Sequence, residues 1–216
     1  MVKNLFFKSD KSPKNIQIKK DIITHFISTG NDTISELSKV LDLSVPTITK
    51  FITELMEQGL ITEFGKVHIP GGRHPIVYGL NPTSAYFVGV DMTRHHLHIA
   101  LMDFTGNIVE NQIGIPYTYE NTTESFDNLC DHIQNFIDRT GDRKEKILNI
   151  NLNISGRVNP ESGYSYSSFY FSERPVSETL SKRLNRNVGI DNDTRAMAYG
   201  EYMKGAVEGE ENVIFV

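Results

Sequence analysis

The side chains best suited to chemistry in this 216-residue chain fall into two sets. The first is cationic and hydroxylic. Ser44, Thr47, Thr49, Lys50 and Thr53 recur at helical spacing, and the run GKVHIPGGRHP that follows carries Lys66, Gly71, Gly72, Arg73 and His74 without a single acid. Small hydroxyls and a lysine suit base edges and phosphate oxygens in a major groove. A Gly-Gly pair lets backbone approach another surface, and arginine is the side chain favoured in a narrow, electronegative minor groove. The second set comprises Asp91, Ser155-Gly156 and Asn192-Asp193, each at the end of an apolar run. A carboxylate beside a sugar hydroxyl accepts its hydrogen bond or its proton, and asparagine both donates and accepts, as polyol recognition requires. A lone Asp at a strand end is also an ordinary turn former, and Asp193 can cap a helix beginning at Thr194.

Positioning the first set requires three helices. Ile18, Ile22, Ile23, Phe26 and Ile27 recur every three or four residues from about Asn15 until Ser28-Thr29-Gly30. Thr33 with Glu36 three residues on predicts a capping box for a short second helix, whose stripe is Ile34, Leu37, Val40 and Leu41. Ser44, with Pro46 in the first turn, predicts a third helix with Ile48, Phe51, Ile52, Leu55 and Met56 inward. Strands are expected at 60–64 and 76–80, flanking a loop too long and too rich in Gly and Pro for a tight hairpin. Short helix, turn, longer helix and two-stranded wing make a winged helix-turn-helix over residues 1–80.

The polar stretch 81–84 is the expected linker. Beyond it, residues 85–216 read as strands at 86–91, 96–102 and 108–115, a helix at 123–139 and a strand at 147–154. A helix at 176–184, a strand at 188–190 and a helix at 194–204 follow. This predicts an α/β domain with a mixed sheet, whose strand ends hold the ligand. The terminal run NVIFV reads as a further strand.

Composition bounds the classes. There is one cysteine, Cys130, so neither an internal disulfide nor a cysteine-based zinc site is expected. No apolar window approaches a membrane span, and the start is not that of a secretory signal; the cytoplasm is the expected compartment, without membrane partners. Residues 1–80 hold ten Lys and Arg against eight Asp and Glu, and the remainder twelve against nineteen. A mildly basic front on an acidic body suits a module facing a polyanion, though charge alone fits chance equally well.

The wing GGRHP, the segment GVDMTRHHLHIALMDFTGNIV, SGRVNPESG and DNDTRAMAYGE together resemble the ROK family, named for repressors, open reading frames and kinases. The resemblance runs from about Asn15 onward and implies half of an actin-like ATPase (ribonuclease H-like) fold, the first lobe of a sugar-binding domain. It implies that Gly156 approaches the sugar, that Asn192 and Asp193 contact its hydroxyls, and that Glu201 joins them. Asp193 matches the catalytic base of the kinases and Asp91 the acid of their first phosphate-binding hairpin. ROK kinases generally lack a DNA-binding module, so the resemblance favours a regulator, most simply a repressor of carbohydrate metabolism. It would bind a double-stranded operator as a homodimer and respond to a sugar or sugar derivative, with no catalytic residues, metal or cofactor. The rival is a kinase transferring phosphate from ATP to a hexose. Against it, Met92-Thr93-Arg94-His95 replaces the family's Gly-rich turn, and bulky side chains obstruct phosphate. Ser155 stands where the family usually has Pro. Family members continue through a second lobe bearing a zinc site, so the chain is expected to be a fragment or truncated product. A third reading is that this truncated chain binds DNA constitutively and senses nothing.

Overall fold

The computed structural model describes residues 12–66, 74–205 and 213–215. They fall into two compact units that divide between Ser84 and Ala85, except that Phe104–Gly106 groups with the first.

The first unit begins with α1 (Pro13–Thr29), which Gly30 ends at φ +82° with its N–H on the Phe26 carbonyl. Ile18, Ile22 and Phe26 are buried, whereas Ile27 is 38% exposed. Each residue turns the helix by about 100°, so the stripe through Ile22 and Phe26 faces the core and Ile27 lies beside it. A two-residue strand β1 (Asp32–Thr33) then precedes α2 (Ile34–Val40) and α3 (Val45–Glu57). Thr33 caps α2 by accepting the Glu36 amide, but the reciprocal half of the capping box is not formed. The Thr33 amide donates to its neighbour Asp32 at 2.7 Å, and the Glu36 carboxylate takes Lys39 at 2.7 Å. Only Leu37 of the expected α2 stripe is fully buried; Val40, on the last turn of this short helix, is 61% exposed.

Ser44 caps α3, and Ile48, Phe51, Ile52 and Leu55 are all buried to within 2%. Each such side chain contributes roughly 1.5–3 kcal/mol of burial, which fixes the rotation of α3 about its axis. Strands β2 (Ile61–Lys66) and β3 (Ile76–Leu80) pair antiparallel with a bulge between Glu63 and Gly65. β1 adds to the free edge of β3, giving a three-stranded sheet in the order β1-β3-β2. Asn81 closes the unit: its amide and side chain bond the Leu60 and Gly59 carbonyls, and its own oxygens receive Thr83 and Ser84. Residues 81–84 are therefore a hydrogen-bonded turn.

The second unit is built on a five-stranded sheet. β4 (Tyr86–Met92), β5 (His96–Asp103) and β6 (Ile108–Pro116) form an antiparallel meander. After α4 (Thr123–Arg139) and a 3-10 turn, β7 (Ile147–Ile154) pairs parallel with β4. A small hairpin, β8 (Val158–Asn159) and β9 (Tyr164–Ser165), leads to α5 (Val176–Leu184), and β10 (Val188–Asn192) pairs parallel with β7 before α6 (Asp193–Lys204). The strand order is β10-β7-β4-β5-β6. One sheet face, with Val88, Val90, Leu97, Ile99, Ile150 and Leu152, packs on α4 and α5 through Leu129, Ile133 and Leu180. Residues 213–215 make no strand, and Ile214 is 89% exposed. The expected terminal strand has no partner among the described strands to satisfy its backbone.

Candidate functional site

The face of α3 away from the core carries the residues that sequence spacing assigned to DNA. Ser44 Oγ accepts the Thr47 amide at 3.4 Å and shares a 2.8 Å hydrogen bond with the Thr47 hydroxyl. Thr49, Lys50 and Thr53 are exposed and Thr47 half-buried. The Lys50 ammonium stands 5.3 Å from the Phe51 ring centroid and 3.8 Å from Glu54. Lys66 ends β2, exposed, with Ile76 opposite it, and His74 is exposed just before β3. Gly71, Gly72 and Arg73, with the neighbouring His68, lie outside the described residues.

Composition and periodicity did not single out Lys19. It is 2% exposed, on the core side of α1, and its ammonium meets the Glu54 carboxylate at 2.8 Å. A lysine at a buried position of an apolar stripe is the signal that could have found it. A second tie, His25 to Asp32 at 3.0 Å, holds the end of α1 against β1. These two bridges position α3 and the sheet edge from behind, and the outward face remains open.

In the second unit, parallel pairing brings the second residue set together. Asp91, Asn153 and Asp191 stand opposite one another across β4, β7 and β10, one residue before the strand ends. Ser155, Gly156, Asn192 and Asp193 follow at the same end. The Ser155 hydroxyl donates to Asp193 Oδ2, and Asn192 Nδ2 donates to the Gly156 carbonyl at 3.0 Å and to Asp193 Oδ1 at 3.1 Å. Asn192, not Asp193, caps α6: its Oδ1 accepts the Arg195 amide at 3.0 Å. β10 runs two residues further than expected, so the first non-helical residue before the helix is Asn192, and Asp193 becomes its first helical residue.

Burial pushes the Asp91 carboxyl up; the neighbouring His98 opposes this and the Asp193 charge adds to it. For Asp193 burial also pushes upward, but the Ser155 hydroxyl and the amide and hydroxyl of Thr194 outweigh it and hold the carboxyl below its ordinary value. The two acids are thus driven apart, Asp91 upward and Asp193 downward.

Gly156 sits at φ +94°, and a Cβ there would run into the Ser167 side chain. That clash and the left-handed backbone both demand glycine. Ser167 in turn accepts the Arg157 amide at 2.9 Å, tying the turn after β7 to the strand pair β8–β9. Two cavities open here. One, of about 500 Å³, is lined by Gly156, Arg157, Val158, Tyr166, Asn192 and Arg195. The other, of about 600 Å³, lies among Met92, Thr93, Arg94, Ser155, Gly156 and Ser167, with Tyr119 and Asn121. The Arg157 guanidinium lies 5.7 Å from the Tyr166 ring centroid, and Arg195 forks onto Asp191 at 2.6 Å. Glu201 is exposed some two helical turns beyond Asp193 and lines neither cavity. Arg157, Tyr166 and Arg195 escaped the sequence reading; the turn Pro160–Gly163 between Val158 and Tyr164 is the hairpin signal that could have found the first two.

At the β4–β5 turn the Thr93 amide donates to the His96 carbonyl at 3.0 Å and the His96 amide to Thr93 Oγ1 at 3.0 Å. Both amides are consumed within the turn. Among the described residues no group of three or more His, Cys, Asp or Glu is placed to hold a metal ion, and no helix is long and apolar enough to cross a membrane.

Comparison with known proteins matches this layout. Residues 17–62 fit the family described as winged helix-turn-helix DNA-binding, and residues 87–216 fit the ROK family. The chain is 26% identical over 184 residues to the xylose repressor of Bacillus subtilis strain 168, covering 84% of this chain and 47% of that protein. It is also 26% identical over 184 residues to the DNA-binding transcriptional dual regulator NagC of Escherichia coli K12, covering 84% of this chain and 45% of that one. A solved ROK family transcriptional regulator, a homolog of the E. coli MLC protein, superposes with a TM-score of 0.66 at 23% identity, over 88% of this chain and 48% of its own. That likeness bears on the fold. The chain spans about half the length of the curated relatives it matches. With a winged helix ahead of it and the ROK match running over more than half of its residues, this chain belongs to the ROK family.

Proposed function

We propose that this chain carries the DNA-binding module and the first ligand-binding lobe of a transcriptional regulator that responds to a sugar or sugar derivative. The observation that carries the reading is the winged helix itself. α3 is capped, packed on its inner face and open on its outer one, and it precedes a ROK domain. The relative named xylose repressor supports repression as the direction of control. In this reading α3 enters the major groove, Lys50 and Lys66 meet phosphates, and residues 71–74 reach the adjacent minor groove. Two copies bind one operator, and the protein acts in the cytoplasm.

The ligand sits where β4, β7 and β10 end. Asp193 offers a carboxylate to hydroxyls, Asn192 the remaining lone pair of its amide oxygen, and Gly156 admits the ring against backbone. Effector binding alters DNA affinity only if the two states of the regulator bind it unequally. Phosphoryl transfer is disfavoured, since the β4–β5 turn spends its Thr93 and His96 amides internally rather than on a nucleotide.

Fluorescence anisotropy with a random-sequence duplex tests the reading. Binding that weakens steeply between about 50 and 200 mM salt is expected. No retention of any duplex at low ionic strength would remove the regulator reading. Sugar-stimulated ATP hydrolysis, abolished by Asp193→Asn, would install a kinase in its place.

A further inference from the structure

A protein reads a base pair in the major groove through hydrogen bonds or through apolar contact with the thymine methyl. Two threonine hydroxyls on the outward face of α3 spend their protons on the helix itself. Thr49 Oγ1 donates to the Val45 carbonyl at 2.8 Å, and Thr53 Oγ1 to the Thr49 carbonyl at 2.9 Å. The Ser44 and Thr47 hydroxyls are joined to each other at 2.8 Å. A threonine whose hydroxyl proton is turned onto its own helix keeps its methyl as the other branch at Cβ and has no proton left for a purine N7. Val45, in the first turn of α3, is 49% exposed, whereas Ile48, Phe51, Ile52 and Leu55 of the same helix are buried. Positions 45, 49 and 53 recur every four residues, so their branched carbons form one stripe along the helix.

We propose that this stripe reads thymine methyl groups, so that the preferred duplex places thymines opposite Val45 and Thr49. The inference rests on the DNA-binding reading above and adds to it the class of base recognised. Lys50, shared with Glu54 at 3.8 Å, holds a phosphate and sets no sequence preference.

The test starts from a duplex selected out of a random library by the purified chain. Its thymidines are then replaced by deoxyuridine, which removes the methyl and retains every hydrogen-bonding group. Affinity is expected to fall about fourfold per contacted methyl, the fold-change that corresponds to roughly 0.8 kcal/mol for one buried CH₂ group. Single replacements should confine the loss to one or two positions. Val45→Ser, at an exposed site, should weaken binding to the thymidine duplex by a similar factor and leave binding to the deoxyuridine duplex unchanged. Equal affinity for the two duplexes overturns the methyl inference while the DNA-binding reading stands. So does a deoxyuridine penalty that persists undiminished in both Val45→Ser and Thr49→Ser, since that reports duplex shape. Failure to bind any duplex at low ionic strength overturns both.

Discussion

Asp91 and Asp193 are neighbours whose surroundings pull their acidities in opposite directions, and stability should report it. Burial, with Asp193 nearby, raises the Asp91 carboxyl above 3.8, so between that value and the raised one the folded state holds more proton than the unfolded. Its contribution therefore falls as pH rises through that window. Asp91→Asn is expected to raise the melting temperature at pH 7, with the gain vanishing below about pH 3.8. Asp193 has the opposite sign: its lowered value gives stability that is present above 3.8 and lost as pH falls through the folded value. Asp193→Asn should accordingly destabilise at pH 7 and converge on the parent in acid, as thermal melts at stepped pH would show. At Lys19 the stake is a buried ammonium. Glu54→Ala removes its carboxylate partner and is expected to cost about 2 kcal/mol in denaturant melts, below the roughly 3–5 of a fully buried pair because Glu54 is partly open to water.

The elements explain why these side chains can act at all. α3 is held by its cap at one end and by four buried side chains along its length. Ser44→Ala should remove about 1 kcal/mol and fray the first turn, where Val45 stands. The segment after β9 is pinned by an aromatic cluster: Phe169, itself at φ +53°, packs edge-on against Tyr119 at 5.2 Å and Phe126 at 5.3 Å. It fixes Ser167, whose hydroxyl binds the Arg157 amide. Phe169→Ala is expected to cost about 3 kcal/mol and to weaken the proposed sugar binding at the strand ends, measured by calorimetry with a sugar panel. Gly156→Ala should cost about 1–3 kcal/mol for the strained backbone and the Ser167 clash together.

For the molecule as a whole, the basic front and acidic body are consistent with the proposed DNA-binding role of the first unit. Lys50→Ala should lower the slope of log affinity against log salt by about 1, without changing which sequence is preferred. Most elements were legible because their cues are local: apolar residues every three or four positions for α1, α3 and α4, alternation for β5, and Ser44 and Thr33 as caps. What escaped depended on partners distant in sequence. β1 exists only because β3 offers an edge; Ile27 and Val40 are apolar yet exposed because rotation about the helix axis, not residue type, chose the buried stripe. Lys19 became structural through Glu54, 35 positions away. The sequence by itself placed Asp91, Ser155-Gly156 and Asn192-Asp193 each at or next to a strand end. Only the parallel pairing of β4, β7 and β10 brought them to one end of one sheet, with Asn192 rather than Asp193 capping α6, because strand register and the point where a helix begins are set by long-range hydrogen bonds that no local pattern encodes.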